Sequence, residues 1–179
     1  NSLEEAYRGC TALATLDVSN WDISSVTRFD YCFYDCQDLT ALDVSSWNTG
    51  LVTTFNRTFY RCGLLTTLDV SSWDASSIQD ITYMYYNTDG LSSSDYGGIK
   101  NWDITSLTTA GSFMRYSTNT LTTADYDTLL VNWEGQSVQN NVLINFNGAQ
   151  YTSGGAAETA RTALINDHSW TITDGGAAP

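Results

Sequence analysis

Residues 29–54 read FDYCFYDCQDLTALDVSSWNTGLVTT, and the segments 3–28 and 55–80 align with them without a gap. Cysteine recurs at positions 10, 36 and 62, and the motif Leu-Asp-Val-Ser begins at residues 16, 42 and 68. Trp21, Trp47 and Trp73 follow it at the same interval. A fixed period of about 20–50 residues indicates supersecondary units that bury their apolar sides on one another. A fourth unit starts at Ile81 with three extra residues near 92–98, and a partial fifth begins around Ala110.

Each repeat contains two segments with different periodicity. Phe29, Phe33, Cys36 and Leu39 have the i, i+4, i+7 spacing of one helical face, so a helix is predicted. Residues 42–45 alternate apolar and polar side chains, which favours a short strand. Stacked units of this kind predict an α/β solenoid, with a parallel sheet on one side and helices or helical turns on the other. The tryptophans would form a column in its core.

The last third of the chain lacks the repeat and predicts a small α+β cap over 121–179, after a solenoid over 1–120. Thr122–Glu134 has apolar side chains at helical spacing, and Asn141–Phe146 reads as a strand. Ser153 is expected to N-cap a second helix through Asn166, with Leu164 and Ile165 inward. Ser169–Thr173 predicts a final strand. Such a cap covers the open edge of a stack, which would otherwise recruit other chains.

Charge and composition exclude several classes of function. Asp and Glu number 20 against seven Lys and Arg, and the net charge of −13 disfavours nucleic acids and anionic membranes. No apolar run is long enough to insert in a membrane as a helix. Few lysines with many Asp, Asn, Ser and Thr fit an extracellular location, on a cell or virion surface. The chain opens within a repeat, so further N-terminal sequence is expected, and its Gly-Gly-Ala-Ala-Pro ending resembles a linker.

The reactive side chains do not assemble into a catalytic or zinc motif. Cys10, Cys36 and Cys62 share a repeat position that reads Thr88 in the fourth unit, which suits free, buried thiols. A local Cys32–Cys36 bridge is the alternative. The single histidine, His168, is expected to be a surface or packing residue. No nucleophile–histidine–acid set, paired glutamates or phosphate loop can be built, so the chain is not expected to be an enzyme.

The repeat resembles the BspA-type leucine-rich repeats of bacterial surface proteins. The motif that carries this resemblance is Phe-x-x-Cys-x-x-Leu-x-x-Leu-Asp-Val-Ser-x-Trp, and it covers residues 3 to about 109. The resemblance implies a surface-exposed solenoid with a parallel sheet that is used in adhesion or binding, and it implies no catalytic residues.

Acidic residues recur along one surface and require compensation. Asp17, Asp43 and Asp69 repeat at one position, and a second row follows the tryptophans at Asp22, Asn48, Asp74 and Asp103. Carboxylates about 5 Å apart repel by about 1 kcal/mol in water and about 3 kcal/mol at an effective dielectric of 20. Hydrogen bonds from nearby Ser, Thr and backbone N–H groups are the favoured compensation. Bound calcium is a weak second possibility, and no other cofactor is predicted.

Tyrosine and arginine recur on the segment predicted to be helical and form the candidate binding surface. Its predicted residues are Tyr31, Tyr34, Arg57, Tyr60, Arg61, Tyr83, Tyr86 and Arg115, with Arg8 at the same repeat position as Tyr34. Tyrosine and arginine are enriched in recognition surfaces, and stacked tyrosines suit sugar rings. The alternative is that the rings only pack between neighbouring elements.

These patterns predict a non-catalytic adhesion module that binds a protein or glycan on a cell or other surface. The alternative is a structural subunit or spacer of an extracellular or virion appendage, with possible self-assembly. Ice or mineral binding is a distant third reading, because the row Thr27, Thr53, Thr108 is broken. The sequon Asn56-Arg57-Thr58 is a possible glycosylation site.

Overall fold

The computed structural model describes all residues from 1 to 179, and its repeats lie on one another in parallel. Isolated β-bridges connect equivalent residues of successive repeats, in the series Ser2, Arg28, Thr54, Asp80 and Thr109. A further bridge joins Ala41 to Thr67. Threonine hydroxyls reinforce this contact, since Thr53 Oγ1 donates to the carbonyl of Thr27 at 3.1 Å. Each repeat therefore contacts the next one along the chain, as the 26-residue period predicts.

The predicted helix over 29–39 is not formed, and a chain of tight turns occupies its place. Tyr31 and Asp35 adopt φ values of 57° and 60°, which a helix does not allow. The N–H groups of Tyr31 and Phe33 consequently point along the stack and donate to the carbonyls of Asn56 and Thr58, at 2.9 and 3.0 Å. The apolar spacing was correct, because Phe29, Phe33, Cys36 and Leu39 are all buried, but turns satisfy it as well as a helix would.

The predicted strand over 42–45 is likewise reduced to a single bridge at Ala41. The Asp43 carboxylate accepts hydrogen bonds from the N–H and hydroxyl of Ser45, at 3.2 and 2.6 Å. The N–H of Trp47 then donates to the carbonyl of Val44, at 3.1 Å, which completes a tight turn. Local side-chain bonds of this kind compete with strand pairing and end it after one residue.

A continuous interior runs through the stack and is lined by aromatic columns. The rings of Trp21, Trp47, Trp73 and Trp102 stack at 6.1, 5.9 and 6.1 Å, each step with an interplanar angle of 9°. The indole of Trp73 donates to the carbonyl of Val44 at 3.2 Å, and Trp47 and Trp102 make the equivalent bond. Trp21, at the end of the column, is only partly buried. The predicted tryptophan column is therefore present in the core.

The cysteines are free thiols, and no disulfide is present. Cys32, Cys36 and Cys62 are buried as expected, whereas Cys10 is exposed because no earlier layer covers the first repeat. The Cys62 thiol donates to the carbonyl of Phe33 at 3.0 Å. Burial, with Cys10 close by, raises the pKa of Cys36 to about 11, so that thiol stays protonated at neutral pH.

Regular secondary structure begins only after the third repeat. The helices are α1 (Ser93–Tyr96), α2 (Thr123–Glu134) and α3 (Ala156–Asn166), and a 3-10 helix spans Gly97–Asn101. The strands are β1 (Leu143–Asn145), β2 (Tyr151–Thr152), β3 (Thr171–Thr173) and β4 (Ala177–Ala178). Strands β1 and β3 pair in parallel, as do β2 and β4.

The predicted elements of the C-terminal region are present, with shifts at their ends. Thr122 caps α2 by accepting a hydrogen bond from the N–H of Asp125 at 3.1 Å. Ser153 is not the cap of α3, because that helix begins after Gly155. Of its two residues expected inward, Leu164 is buried and Ile165 is only half-buried.

The C-terminal region continues the stack. A bridge joins Ala110 to Ile144 of β1, so β1 lies on the fifth repeat and β3 lies on β1. Asp174 ties these layers to both long helices, since it accepts hydrogen bonds from Tyr126 of α2 and Arg161 of α3, each at 2.7 Å. The helices are all too short or too polar to cross a membrane.

Candidate functional site

Tyr34, Tyr60 and Tyr86 form a stacked column along the turn side of the repeats, here called the tyrosine column. Their ring centroids are 4.7 and 4.6 Å apart, with interplanar angles of 4° and 8°. The guanidinium of Arg8 lies 5.4 Å from the Tyr34 ring and covers one end of the column. At the other end the Tyr116 ring meets Tyr86 edge-on, at 5.3 Å and 90°. The 26-residue period thus brings together three side chains that are far apart in sequence.

A second column lies beside the first and alternates aromatic and cationic groups. The guanidinium of Arg57 is 5.3 Å from the Tyr31 ring and 4.4 Å from the Tyr83 ring, so it lies between the two rings. It also donates to the Tyr31 hydroxyl at 3.1 Å and to the side-chain carbonyl of Asn56 at 2.7 Å. Arg57 is therefore fixed in place by two tyrosines and an amide. Cation–π contact of this kind is worth about 0.5–1 kcal/mol at exposed sites.

The backbone turns place these side chains. Tyr31, Arg57 and Tyr83 all have φ between 55° and 58°, and Arg61 has φ 59°. Non-glycine residues rarely adopt this left-handed conformation, which persists where the surrounding structure determines it. Here the hydrogen bonds between layers impose it, since the N–H groups of Tyr31, Arg57 and Tyr83 each donate to the next layer at 2.9–3.0 Å.

The two columns together form the tyrosine–arginine strip. It consists of Arg8, Tyr31, Tyr34, Arg57, Tyr60, Arg61, Tyr83, Tyr86, Arg115 and Tyr116. All the site residues predicted from the sequence thus lie on one surface, together with Arg8. Tyr116 was not predicted, because the three-residue insertion in the fourth repeat moves it out of the 26-residue register. Its signal would have been its alignment with Arg61, a predicted site residue, once that insertion is removed.

The arginines of the strip differ in how their charge is balanced. Arg8 pairs with Glu5 at 2.6 Å, and Arg61 lies 3.6 Å from Asp35. Arg57 and Arg115 have no carboxylate within ion-pair distance, and Arg115 donates only to the Tyr116 hydroxyl, at 2.7 Å. The strip therefore carries two cations that no acid neutralises, in a chain of net charge −13.

The tyrosine column offers ring edges and hydroxyl groups rather than ring faces. Within the column the ring faces lie against each other, so stacking of a sugar on the face of Tyr60 is blocked. Tyr34, Tyr60 and Tyr86 are each only half-buried, so the column is in part exposed to solvent. Partial burial, followed by the neighbouring Tyr86 and Tyr34, raises the pKa of Tyr60, which keeps its hydroxyl protonated.

A family model described as Mycoplasma protein of unknown function, DUF285, matches residues 1–126. The chain belongs to the DUF285 family. Comparison with curated proteins and with solved structures finds no match. The matched region contains every residue of the tyrosine–arginine strip and ends within α2.

The acidic rows of this DUF285 chain are compensated by local hydrogen bonds. The Asp22 carboxylate accepts from the N–H and hydroxyl of Ser24, at 3.1 and 2.6 Å, and Asp74 makes the same pair of bonds with Ser76. Bonds from the side chain and backbone of the following serine lower the pKa of four of these acids, which are Asp17, Asp22, Asp69 and Asp74. No cluster of three or more His, Cys, Asp or Glu side chains has the arrangement of a metal site.

Other surface features of the DUF285 chain are less suited to a ligand. A polar cavity of about 470 Å³ lies between Asp69, Gly98 and Asp125, but an ion pair of Lys100 with Asp125 occupies its wall. The sequon is engaged within the stack, since Asn56 donates to Asp80 at 2.8 Å and the buried Thr58 donates to the carbonyl of Phe29 at 2.9 Å. This engagement disfavours modification of Asn56.

Proposed function

We propose that this DUF285 chain is a non-catalytic recognition module that binds a protein or glycan through the tyrosine–arginine strip. The observation that carries the proposal is the half-buried tyrosine column, which has Arg8 over the ring at one end and Tyr116, bound by Arg115, against the ring at the other. Two arginines without acid partners supply binding energy to such a surface. Adhesion at a cell or virion surface outside the cell is the role that this arrangement supports.

The repeats are proposed to belong to the BspA-type leucine-rich class, as a solenoid over 1–120 with a cap over 121–179. The motif around Leu42 and Trp47 and the 26-residue parallel stacking support this assignment. The tight turns at 29–36 replace the helical side expected for the class. A non-enzymatic role is part of the same proposal, and the single histidine, His168, has its ring nitrogen 3.3 Å from the side-chain oxygen of Asn140.

The proposed function is tested by replacing Tyr34, Tyr60 and Tyr86 together with phenylalanine. The rings still stack in this variant, so the fold is kept, but the column loses its hydroxyl groups. Binding of the labelled protein to intact cultured animal cells, measured by flow cytometry, is expected to fall by about tenfold or more. The matched control is Tyr7→Phe, which lies outside the strip. Unchanged cell binding of the triple variant, with the fold intact by circular dichroism, contradicts the proposal.

A structural role in an appendage is the second candidate, and the layer-by-layer stacking of the repeats through parallel bridges favours it. Leu3, Tyr7, Trp21 and Val26 line an apolar groove of about 480 Å³ on the first repeat. The carbonyls of Ser2, Glu4, Ala6 and Arg8 accept no hydrogen bond from the protein. An edge of this kind accepts a further layer, which is either a preceding repeat of the same protein or another chain. Sedimentation velocity separates the two functions, because a subunit of a fibre self-associates with rising concentration and a recognition module stays monomeric.

A further inference from the structure

The register of the arginines along the stack carries information about the ligand. Five turn segments lie in successive layers, at 3–10, 29–36, 55–62, 81–88 and 110–117. Arg8 belongs to the first layer, Arg57 and Arg61 to the third and Arg115 to the fifth. Positive charge on the strip therefore recurs at every second layer. The second and fourth layers present Tyr34 and Tyr86 instead.

The spacing of the layers fixes the distances between these charges. Neighbouring rings of the tyrosine column are 4.6–4.7 Å apart, which matches the spacing of about 4.8 Å between parallel strands. Measured along the stack axis, arginine positions two layers apart are consequently offset by about 10 Å, and Arg8 and Arg115 by about 19 Å. The tyrosine column supplies one hydroxyl in each of the second, third and fourth layers, and arginines lie in the first, third and fifth layers, so the two kinds of group form a regular linear pattern.

We propose that the strip binds a linear polysaccharide in which every second sugar carries a carboxylate. This inference rests on the proposed function and names its ligand class. An extended disaccharide of such a polymer advances by about two layers, so its carboxylates meet the arginines in register. The tyrosine hydroxyls then exchange hydrogen bonds with sugar hydroxyls. Tyrosine ring faces are covered, so recognition proceeds through ring edges and guanidinium groups rather than by stacking on a sugar.

The electrostatics of the strip permit an anionic ligand despite the net charge of −13. The Debye length is about 8 Å at physiological ionic strength, so acids on other parts of each repeat are screened from the strip. Two acids lie beside the strip and are paired with its arginines, Glu5 with Arg8 and Asp35 with Arg61. Arg57 and Arg115 keep their full charge, and Arg57 is held between two rings, so its side chain loses little entropy on binding.

A protein partner fits this pattern less well. The exposed large apolar side chains include only Tyr116 from the strip, whereas the cores of protein interfaces are apolar. The regular alternation of charge at two-layer intervals also requires a partner with the same linear repeat. A polymer of identical disaccharides has that repeat by construction.

The test is titration of the full chain with a hyaluronan octasaccharide, in which uronic acid alternates with a neutral amino sugar. Binding measured by calorimetry is expected to weaken as salt rises, and Arg57→Gln with Arg115→Gln is expected to weaken it by about tenfold or more. Lys100→Gln, which removes a positive charge away from the strip, is the matched control and should leave binding unchanged. Chitohexaose, a neutral linear chain, should not bind.

Three outcomes overturn the inference. They are no binding of the octasaccharide at low salt, equal binding by the double arginine variant, or equal affinity for polygalacturonate, which carries a carboxylate on every sugar. The proposed function fails separately. If the phenylalanine variant loses cell binding while the octasaccharide does not bind, the strip recognises another ligand and only the polysaccharide assignment is wrong.

Discussion

At the scale of single residues, the acids of the repeat differ in what shifts their pKa: hydrogen bonds for some, burial for another. Asp69 and Asp74 are bound by the serines that follow them, which lowers the pKa of both carboxyls. Asp30 is buried, and one of its oxygens has no hydrogen-bond partner. Burial outweighs its bond from Thr54 and the charge of Arg28, so the pKa of Asp30 is raised. Ionisation of Asp69 and Asp74 therefore stabilises the fold, whereas ionisation of Asp30 destabilises it.

Stability should depend on pH in a way that these two kinds of acid reveal. A carboxyl with a lowered pKa in the folded state stabilises the fold above its unfolded pKa, near 3.8, and this contribution is lost as pH falls through the folded pKa. Asp69→Asn with Asp74→Asn should therefore lower the free energy of unfolding at pH 7 and change it less at pH 3. Urea unfolding at both pH values measures this difference, and a deficit of equal size at both would contradict it.

Asp30→Asn provides the comparison of opposite sign. A carboxyl whose folded pKa is raised favours the fold below its unfolded pKa, and this contribution is lost as pH rises through the folded value. Since asparagine does not ionise, the variant should gain stability relative to the native chain between pH 3 and pH 7. The same urea series shows it, and a relative loss over that interval would mean that the Arg28 ion pair, at 3.3 Å, outweighs burial.

Asp174 is an acid whose buried side chain connects several elements of the C-terminal region. Its side chain is 3% exposed and receives Arg161, Tyr126 and the N–H of Gly176. Asp174→Leu leaves the Arg161 charge without a partner and is expected to cost about 3–5 kcal/mol, measured by urea unfolding. The double variant with Arg161→Met should recover part of that loss, because no uncompensated charge stays buried. Equal losses in the single and double variants would show that the ion pair itself has little effect.

At the scale of elements, the tryptophan column connects the repeats together with the backbone hydrogen bonds between layers. Trp73 is 5% exposed, stacks on both neighbours and donates to Val44, so Trp73→Ala is expected to cost about 3–5 kcal/mol. Trp21 has a tryptophan on one side only and is partly buried. Trp21→Ala should therefore cost clearly less. Thermal and urea unfolding of the two variants measure the difference. Equal losses in the free energy of unfolding would mean that stacking between tryptophans contributes little to stability.

The elements also show how far the sequence predicts the fold. The gapless 26-residue period correctly predicts which residues lie over one another, because stacking equivalent side chains is the way such units bury Trp47 and Phe33. The local backbone was predicted wrongly as helix and strand. The turns need left-handed φ at Tyr31 and Asp35, and tyrosine gives no warning of it, whereas aspartate is enriched in that conformation. Gly9, with φ 72°, stands in the register of Asp35, and it was a second signal.

The candidate site was predictable to the same degree and for the same reason. Tyr34, Tyr60 and Tyr86 were found by their period alone, since side chains at equivalent positions must be neighbours in any stack. The 26-residue period does not predict how the rings are oriented. The covered ring faces and the position of Arg57 between Tyr31 and Tyr83 are therefore seen only in the structure.

At the scale of the whole molecule, stability passes from layer to layer, because each repeat contacts only its neighbours. The fifth layer is completed by the C-terminal region, where the N–H of Met114 donates to the carbonyl of Asn145 at 3.0 Å and Phe113 packs edge-on against Phe146. Removal of residues 121–179 would leave Phe113 and Met114, both fully buried, facing solvent along an unpaired edge.

The shortened chain 1–120 is therefore expected to self-associate or unfold, whereas the full chain, in which the C-terminal region covers this edge, is not expected to associate through it. Sedimentation velocity and near-ultraviolet circular dichroism measure the two effects. Phe146→Ala in the full chain is the matched control, because it weakens the same contact by about 3–5 kcal/mol without exposing the edge, and it should lower the melting temperature while the edge stays covered. If 1–120 is monomeric with the melting temperature of the full chain, the repeats are stable without the C-terminal region. The region after residue 120 would then serve some purpose other than capping.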